Sequence, residues 1–171
     1  MLGNRGISLI EILIYTGILT LMVTTIGSTI LALSRVYASI TAEQRIEEAA
    51  LIGLDRILSE TKKAISVTTG ASNFNTTLGK LAIQAVDKND DAMSVEFYVA
   101  TGTLRMKENG VDVGPLTSTS TAITQLVFQH ITTSQSEAVK VEMLVESGTS
   151  TNHRSKTFYG TAVLRGSYTS Q

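Results

Sequence analysis

Cysteine and tryptophan are absent from this chain, proline occurs once (Pro115), histidine twice, and aromatic residues make up 5% of the sequence. Without Cys there is no disulfide framework, no thiolate nucleophile, no Cys-ligated zinc or iron–sulfur cluster and no lipidated-Cys anchor. His130 and His153 are the whole supply of imidazole for base catalysis or soft metal ligation. With no Trp, stacking platforms for sugars or single strands are not expected. Neither sign of charge is in excess, since 14 Lys and Arg face 15 Asp and Glu for a net charge of −1. Binding driven by counterion release from a polyanion is therefore not expected, and nucleic acid is not a predicted partner. The 171 residues, 43% of them apolar, fit one compact module.

What the chain does have is an apolar run. From Ile7 to Ser34 it carries one charge, Glu11. About 20 apolar residues at 1.5 Å rise cross a hydrocarbon core of roughly 30 Å, so the run reads as a membrane-spanning helix. Arg5 and the initiating amine precede it, which favours a cytoplasmic N-terminus with the chain beyond Arg35 on the far side. Three readings compete: a permanent signal anchor, a cleaved secretory signal ending near Ala32-Leu33-Ser34, and a short leader followed by a retained helix. The run is too long for a conventional signal. It also carries a carboxylate near its start, and an unpaired ion in hydrocarbon costs several kcal/mol, so such a residue usually has a partner.

The segment Arg5-Gly6-Ile7-Ser8-Leu9-Ile10-Glu11-Ile12-Leu13 resembles the cleavage and methylation motif of type IV prepilins and type II secretion pseudopilins. The resemblance implies that a membrane-embedded prepilin peptidase cuts after Gly6 and methylates the new amine of Ile7. Glu11 becomes the fifth mature residue and faces the N-terminal ammonium of a neighbouring subunit. Physically, a charged pair in apolar surroundings costs far less than either ion alone, which penalises wrong registers. The plainer alternative is a carboxylate tolerated near the membrane interface. Thr16, Thr20, Thr24, Ser28 and Ala32 recur every four residues. Either they form a small-residue face for close helix packing or their hydroxyls bond back to the preceding turn. Many major pilins carry a proline near the position of Ser28, and here Gly27-Ser28 is the one candidate soft spot.

From Thr41 the pattern becomes an amphipathic helix. Ile46, Ala49, Ala50, Gly53, Leu54, Ile57 and Leu58 form its apolar stripe, with Glu43, Glu47, Glu48, Asp55, Arg56 and Glu60 elsewhere. Lys62-Lys63 complements the dipole at its C-terminus. A single helix from about Ile7 to about Lys63 would be roughly 85 Å long. Beyond it, Met93, Val95, Phe97 and Val99 alternate with polar neighbours, turn at Thr101-Gly102 and resume with Leu104 and Met106. Asn109-Gly110 is a second tight-turn signal leading to Val111 and Val113. Val139, Val141, Met143 and Val145 form another half-buried strand. Lys80 to Val86, Ile123 to Ile131 and Lys156 to Arg165 are further candidates. The expected fold class is α+β, pilin-like, with a long N-terminal helix packed on one C-terminal antiparallel sheet. The expected divisions are a leader (1–6), a hydrophobic helix (7–34), an amphipathic stem (35–64) and a β-rich head (65–171).

The run Ser94 to Val113, then Pro115-Leu116-Thr117-Ser118, then Leu126-Val127-Phe128, is similar to J-type minor pseudopilins and related minor pilins. The similarity implies a place in a tip or priming complex. Implied partners are other pilin or pseudopilin subunits, the prepilin peptidase, an inner-membrane assembly platform, and lipid before assembly. The implied location is the inner membrane in single-pass form, then the filament. No cofactor is expected. Nor is an enzyme: there is no Gly-x-Ser-x-Gly, His-Glu-x-x-His, phosphate loop or dinucleotide fingerprint. Asp87, Asn89 and Asp91 copy the first three oxygen ligands of an EF-hand loop, but Ala92 stands where Gly makes the turn and Tyr98 where a bidentate Glu closes the site. That segment reads as a solvated turn, with a looser calcium site as the weaker alternative. The competing functional class is a membrane-anchored extracytoplasmic binding or adhesion module that uses the Thr-rich loops after Pro115.

Overall fold

The computed structural model describes residues 8–86, 91–134, 136–149 and 152–167. The chain is α+β, one long N-terminal helix followed by antiparallel sheets. Helix α1 spans Leu9–Lys63 and is continuous through Gly27 and Ser28. Strands follow as β1 (Ser66–Val67), β2 (Leu81–Val86), β3 (Ala92–Ala100), β4 (Thr103–Glu108), β5 (Val111–Pro115), β6 (Thr121–Thr132), β7 (Glu137–Ser147) and β8 (Arg154–Val163). Two compact units divide the chain, Met1–Ala38 and Ser39–Gln171.

In the second unit the apolar periods do what they predict. Ile46, Ala49, Ala50, Gly53 and Ile57 of the stem are buried, and Leu54 and Leu58 pack at the margin of the same core. On β3, Val95 and Phe97 point inward. On β7, Val139, Val141, Met143 and Val145 are all fully buried, the period-2 burial of a sheet with one covered face. The two-residue turns also follow their chemistry. Thr101 (φ 51°) and Gly102 (φ 74°) join β3 to β4, and Asn109 (φ 50°) and Gly110 (φ 80°) join β4 to β5. Positive φ at both central residues is the twist that lets two-residue hairpins close.

Two features differ from expectation. The strands form two sheets, not one: β1-β2-β3-β4-β5 and β6-β7-β8. The reason lies at the edges. Pro115 ends β5 without an N–H to offer a further strand. Meanwhile the edge of β6 is occupied by the segment before β2. Asn75 donates to the Phe128 carbonyl (2.9 Å), Gly79 to the Leu126 carbonyl (2.7 Å), and Leu126 donates to the Thr77 carbonyl (2.7 Å). Both sheets still contribute to one core with the stem, and at Gly53 both come close to it at once: a Cβ there would lie 3.1 Å from Leu104 of one sheet and 3.5 Å from Met143 of the other. The second difference is Glu60, which sequence patterning leaves on the polar side. Its side chain is 8% exposed, clamped by Arg56 (3.3 Å) and Lys63 (3.2 Å), the compensation a buried carboxylate requires.

Candidate functional site

The first unit contains the residues of greatest functional interest. From Leu9 to Val36 every residue of α1 is exposed, including Leu9, Ile10, Leu13, Ile18, Leu21 and Val23. An exposed apolar surface of that extent is a binding or membrane surface. It is also the one helical segment among the described residues long and apolar enough to cross a membrane, which supports single-pass membrane association.

Glu11 sits in the first turn of this helix. The Ser8 carbonyl accepts from the amides of Glu11 (3.0 Å) and Ile12 (3.2 Å), which opens the helix. A carboxylate there complements the positive end of the helix dipole. The Tyr15 hydroxyl donates to Glu11 Oε1 at 3.2 Å, a contact that sequence reasoning missed although the i,i+4 spacing carries it. No cation pairs with Glu11 among the described residues. Gly6 and Ile7, the expected cleavage and methylation positions, lie outside the described residues.

The every-fourth-residue stripe resolves into backbone contacts. Thr16 donates to the Ile12 carbonyl (2.8 Å), Thr20 to Thr16 (2.8 Å), Thr24 to Thr20, and Ser28 to Thr25 (2.8 Å). The hydroxyls are thereby satisfied within the helix, so these positions present methyl and methylene surface to whatever lies alongside.

Elsewhere the polar side chains of the head meet one another. Asp91 is exposed just before β3, in the connection between two paired antiparallel strands, β2 and β3. Asp87 and Asn89 lie outside the described residues, and no group of three or more metal-ligating acids or histidines occurs among the described residues. Tyr98, at the closing position of the failed EF-hand pattern, donates to Asp112 Oδ2 (3.1 Å). Asp112 also accepts from Arg105 Nε (2.9 Å) and from the Gly114 amide (2.9 Å). The hydrogen bond from Arg105 holds the Asp112 carboxyl below its ordinary value, and the same bond raises Arg105. Lys156 is raised by its bond to Glu47. Each histidine meets a glutamate that sequence spacing did not reveal. His130 Nε2 lies 3.4 Å from Glu137 Oε2 with its ring stacked on Phe74 at 5.4 Å, and His153 Nε2 lies 3.9 Å from Glu146 Oε2. Strand pairing brings them together, since β7 carries both acids. The His153 pair borders a cleft of about 320 Å³ with Ser120, Thr121 and Ser147.

Comparison with protein-family models, with curated proteins and with solved structures gives no match for this chain.

Proposed function

We propose that this chain is a structural subunit of a type IV pilus or type II secretion pseudopilus, a minor subunit made as a membrane precursor and assembled through its N-terminal helix. The observation that carries the reading is Glu11, the one charge between Leu9 and Ser34 of the exposed helix, paired within the described residues only with a neutral Tyr15 hydroxyl. A carboxylate so placed is unfavourable in lipid alone and acquires a purpose when an ammonium from another chain meets it. The Arg5-Gly6-Ile7 sequence supplies a route to such an ammonium, because cleavage after Gly6 exposes the amine of Ile7. In this reading the protein is not an enzyme, and the energy for assembly comes from another protein.

N-terminal mass spectrometry of the protein from its own host, with and without the prepilin peptidase, tests this. A methylated Ile7 that depends on the peptidase is expected, and a chain beginning at Met1 or Arg35 overturns the proposal. The hydroxyl-lined cleft beside His153 and Glu146 favours one second reading, a membrane-anchored binding or adhesion module. Substituting Gly6 separates the two, because an anchor retains its surface display and a prepilin loses its processing.

A further inference from the structure

The stem half of α1 is not fully covered by the sheets. Between it and β8 runs a groove of about 510 Å³, floored by Ala50, Leu51, Leu54, Leu58 and Phe158. Leu51 is 73% exposed. Strand β8 is the edge of its sheet and follows the stem along its length. Arg154 donates to Ser39 Oγ (2.8 Å), Lys156 to Glu47 (2.7 Å), and Gly160 lets Leu58 come close enough that a Cβ there would sit 2.8 Å from Leu58 Cδ1. The groove's solvent margin carries Glu48 and Asp55. Neither has an ion pair among the described residues, in contrast to Glu47 and Glu60.

We propose that this groove seats an amphipathic helix from a different subunit, one whose apolar stripe is edged by Lys or Arg residues seven positions apart. The spacing selects a helix. Glu48 and Asp55 are two turns apart, about 10.5 Å, which matches i and i+7 on a helix lying alongside. Same-face positions of a strand repeat at about 6.6 and 13 Å and miss it. The charge selects a chain other than this one. Two copies meeting stem to stem about Leu51 set Glu48 and Asp55 against the same acids, in either direction, and like charges across an interface oppose pairing. The stem's own cationic pair at this spacing, Arg56 and Lys63, is engaged on Glu60 and Glu108 within the subunit. An apolar floor with an acidic margin is thus complementary to a basic helix, the helix-in-groove mode of recognition. Only in calling the partner a neighbouring subunit does the proposal rest on the filament reading.

The test places the photoreactive residue benzoylphenylalanine at Leu51 of the full chain in its own host membrane, and identifies adducts by mass spectrometry of the crosslinked peptides. The expected result is an adduct with another chain through a helical peptide bearing Lys or Arg seven apart. Its yield should fall about tenfold or more when Glu48→Lys and Asp55→Lys are combined. It should persist in Glu43→Lys, an exposed stem acid outside the groove. Thermal unfolding of the charge-reversed protein confirms that its head is intact. An adduct of this chain with itself, no adduct, or an adduct indifferent to the charge reversal overturns the proposal. The two readings fail separately: an unprocessed Met1 start with the charge-dependent adduct retained removes the filament and keeps the groove, whereas a methylated Ile7 without the adduct does the reverse.

Discussion

Gly53 provides the sharpest check on how the stem meets the head. Replacing it sets two quantities against each other. A glycine inside a helix is worse than alanine by about 1 kcal/mol, so Gly53→Ala gains that much from the backbone. Against this, the new methyl would sit 3.1 Å from Leu104 Cδ2, and Leu104 is fully buried. Ordinary carbon contacts are about 3.5–4.0 Å, so Leu104 must yield by roughly half an ångström. The flexible end of Met143, 3.5 Å away, needs no move at all. The two effects nearly cancel, and Gly53→Ala should lie within about 1 kcal/mol of the parent. Gly53→Val adds two methyls with no compensating gain. Overpacking of that kind costs about 2–3 kcal/mol, which for a unit of this size is a fall in Tm of roughly 6–12 °C. Thermal unfolding of the full chain in detergent, followed by circular dichroism, measures both variants. A Gly53→Val protein as stable as the parent would refute the close approach of both sheets to the stem.

Two further outcomes follow from the candidate site and from the hairpin. On the proposed filament reading, Glu11→Val should leave cleavage after Gly6 intact but reduce incorporation into filaments by about 100-fold or more, since losing one partner of a buried ion pair costs about 3–5 kcal/mol; immunoblots of sheared filaments read it, and normal incorporation removes the role of the carboxylate. The lowered Asp112 carboxyl stabilises the β4–β5 hairpin fully above the ordinary carboxylate value of about 3.9 and progressively less as pH falls below it, through the depressed folded value. The protection factor of the Gly114 amide, which corrects for the slower intrinsic exchange in acid, should fall between pH 6 and pH 3 in the parent and stay level in Asp112→Asn.

Sequence patterning reports which face of an element is covered, and less about what covers it. Alternation along Val139 to Val145 and the Asn109-Gly110 turn are local, so strands and hairpins were legible in them. The division into two sheets was not. It depends on the Asn75 to Gly79 segment reaching the edge of β6, some fifty residues later in the chain, and no local period encodes that pairing. Glu60 was misread for a related reason. Its charge argues for the surface, and its burial rests on two cations, at i−4 and i+3, converging on one oxygen. The histidine–glutamate pairs arise from strand register alone, as with His130 opposite Val139 and two residues from Glu137. Of the candidate site, Glu11 was legible because a charge in an apolar run is conspicuous, whereas nothing in the run singles out Tyr15 until its hydroxyl is seen on Glu11.

Glu60 and Glu11 present the same physical problem with different solutions. Each is a carboxylate in a helix that presents much apolar surface. Glu60 is compensated inside the subunit by Arg56 and Lys63, and the stem buries it at no need of a second chain. Glu11 has the Tyr15 hydroxyl, which can donate one hydrogen bond and carries no charge. A neutral donor offsets part of the desolvation of one oxygen and leaves the net charge where it was. If the apolar segment around Glu11 leaves water, for lipid or for other helices, the remaining compensation has to come from a cation that this helix does not carry between Leu9 and Ser34. A permanent anchor gains nothing from that arrangement, because a leucine at the same position would hold the membrane better. A helix that must enter a filament in one register gains a great deal, because the uncompensated carboxylate penalises every register except the one that supplies the cation.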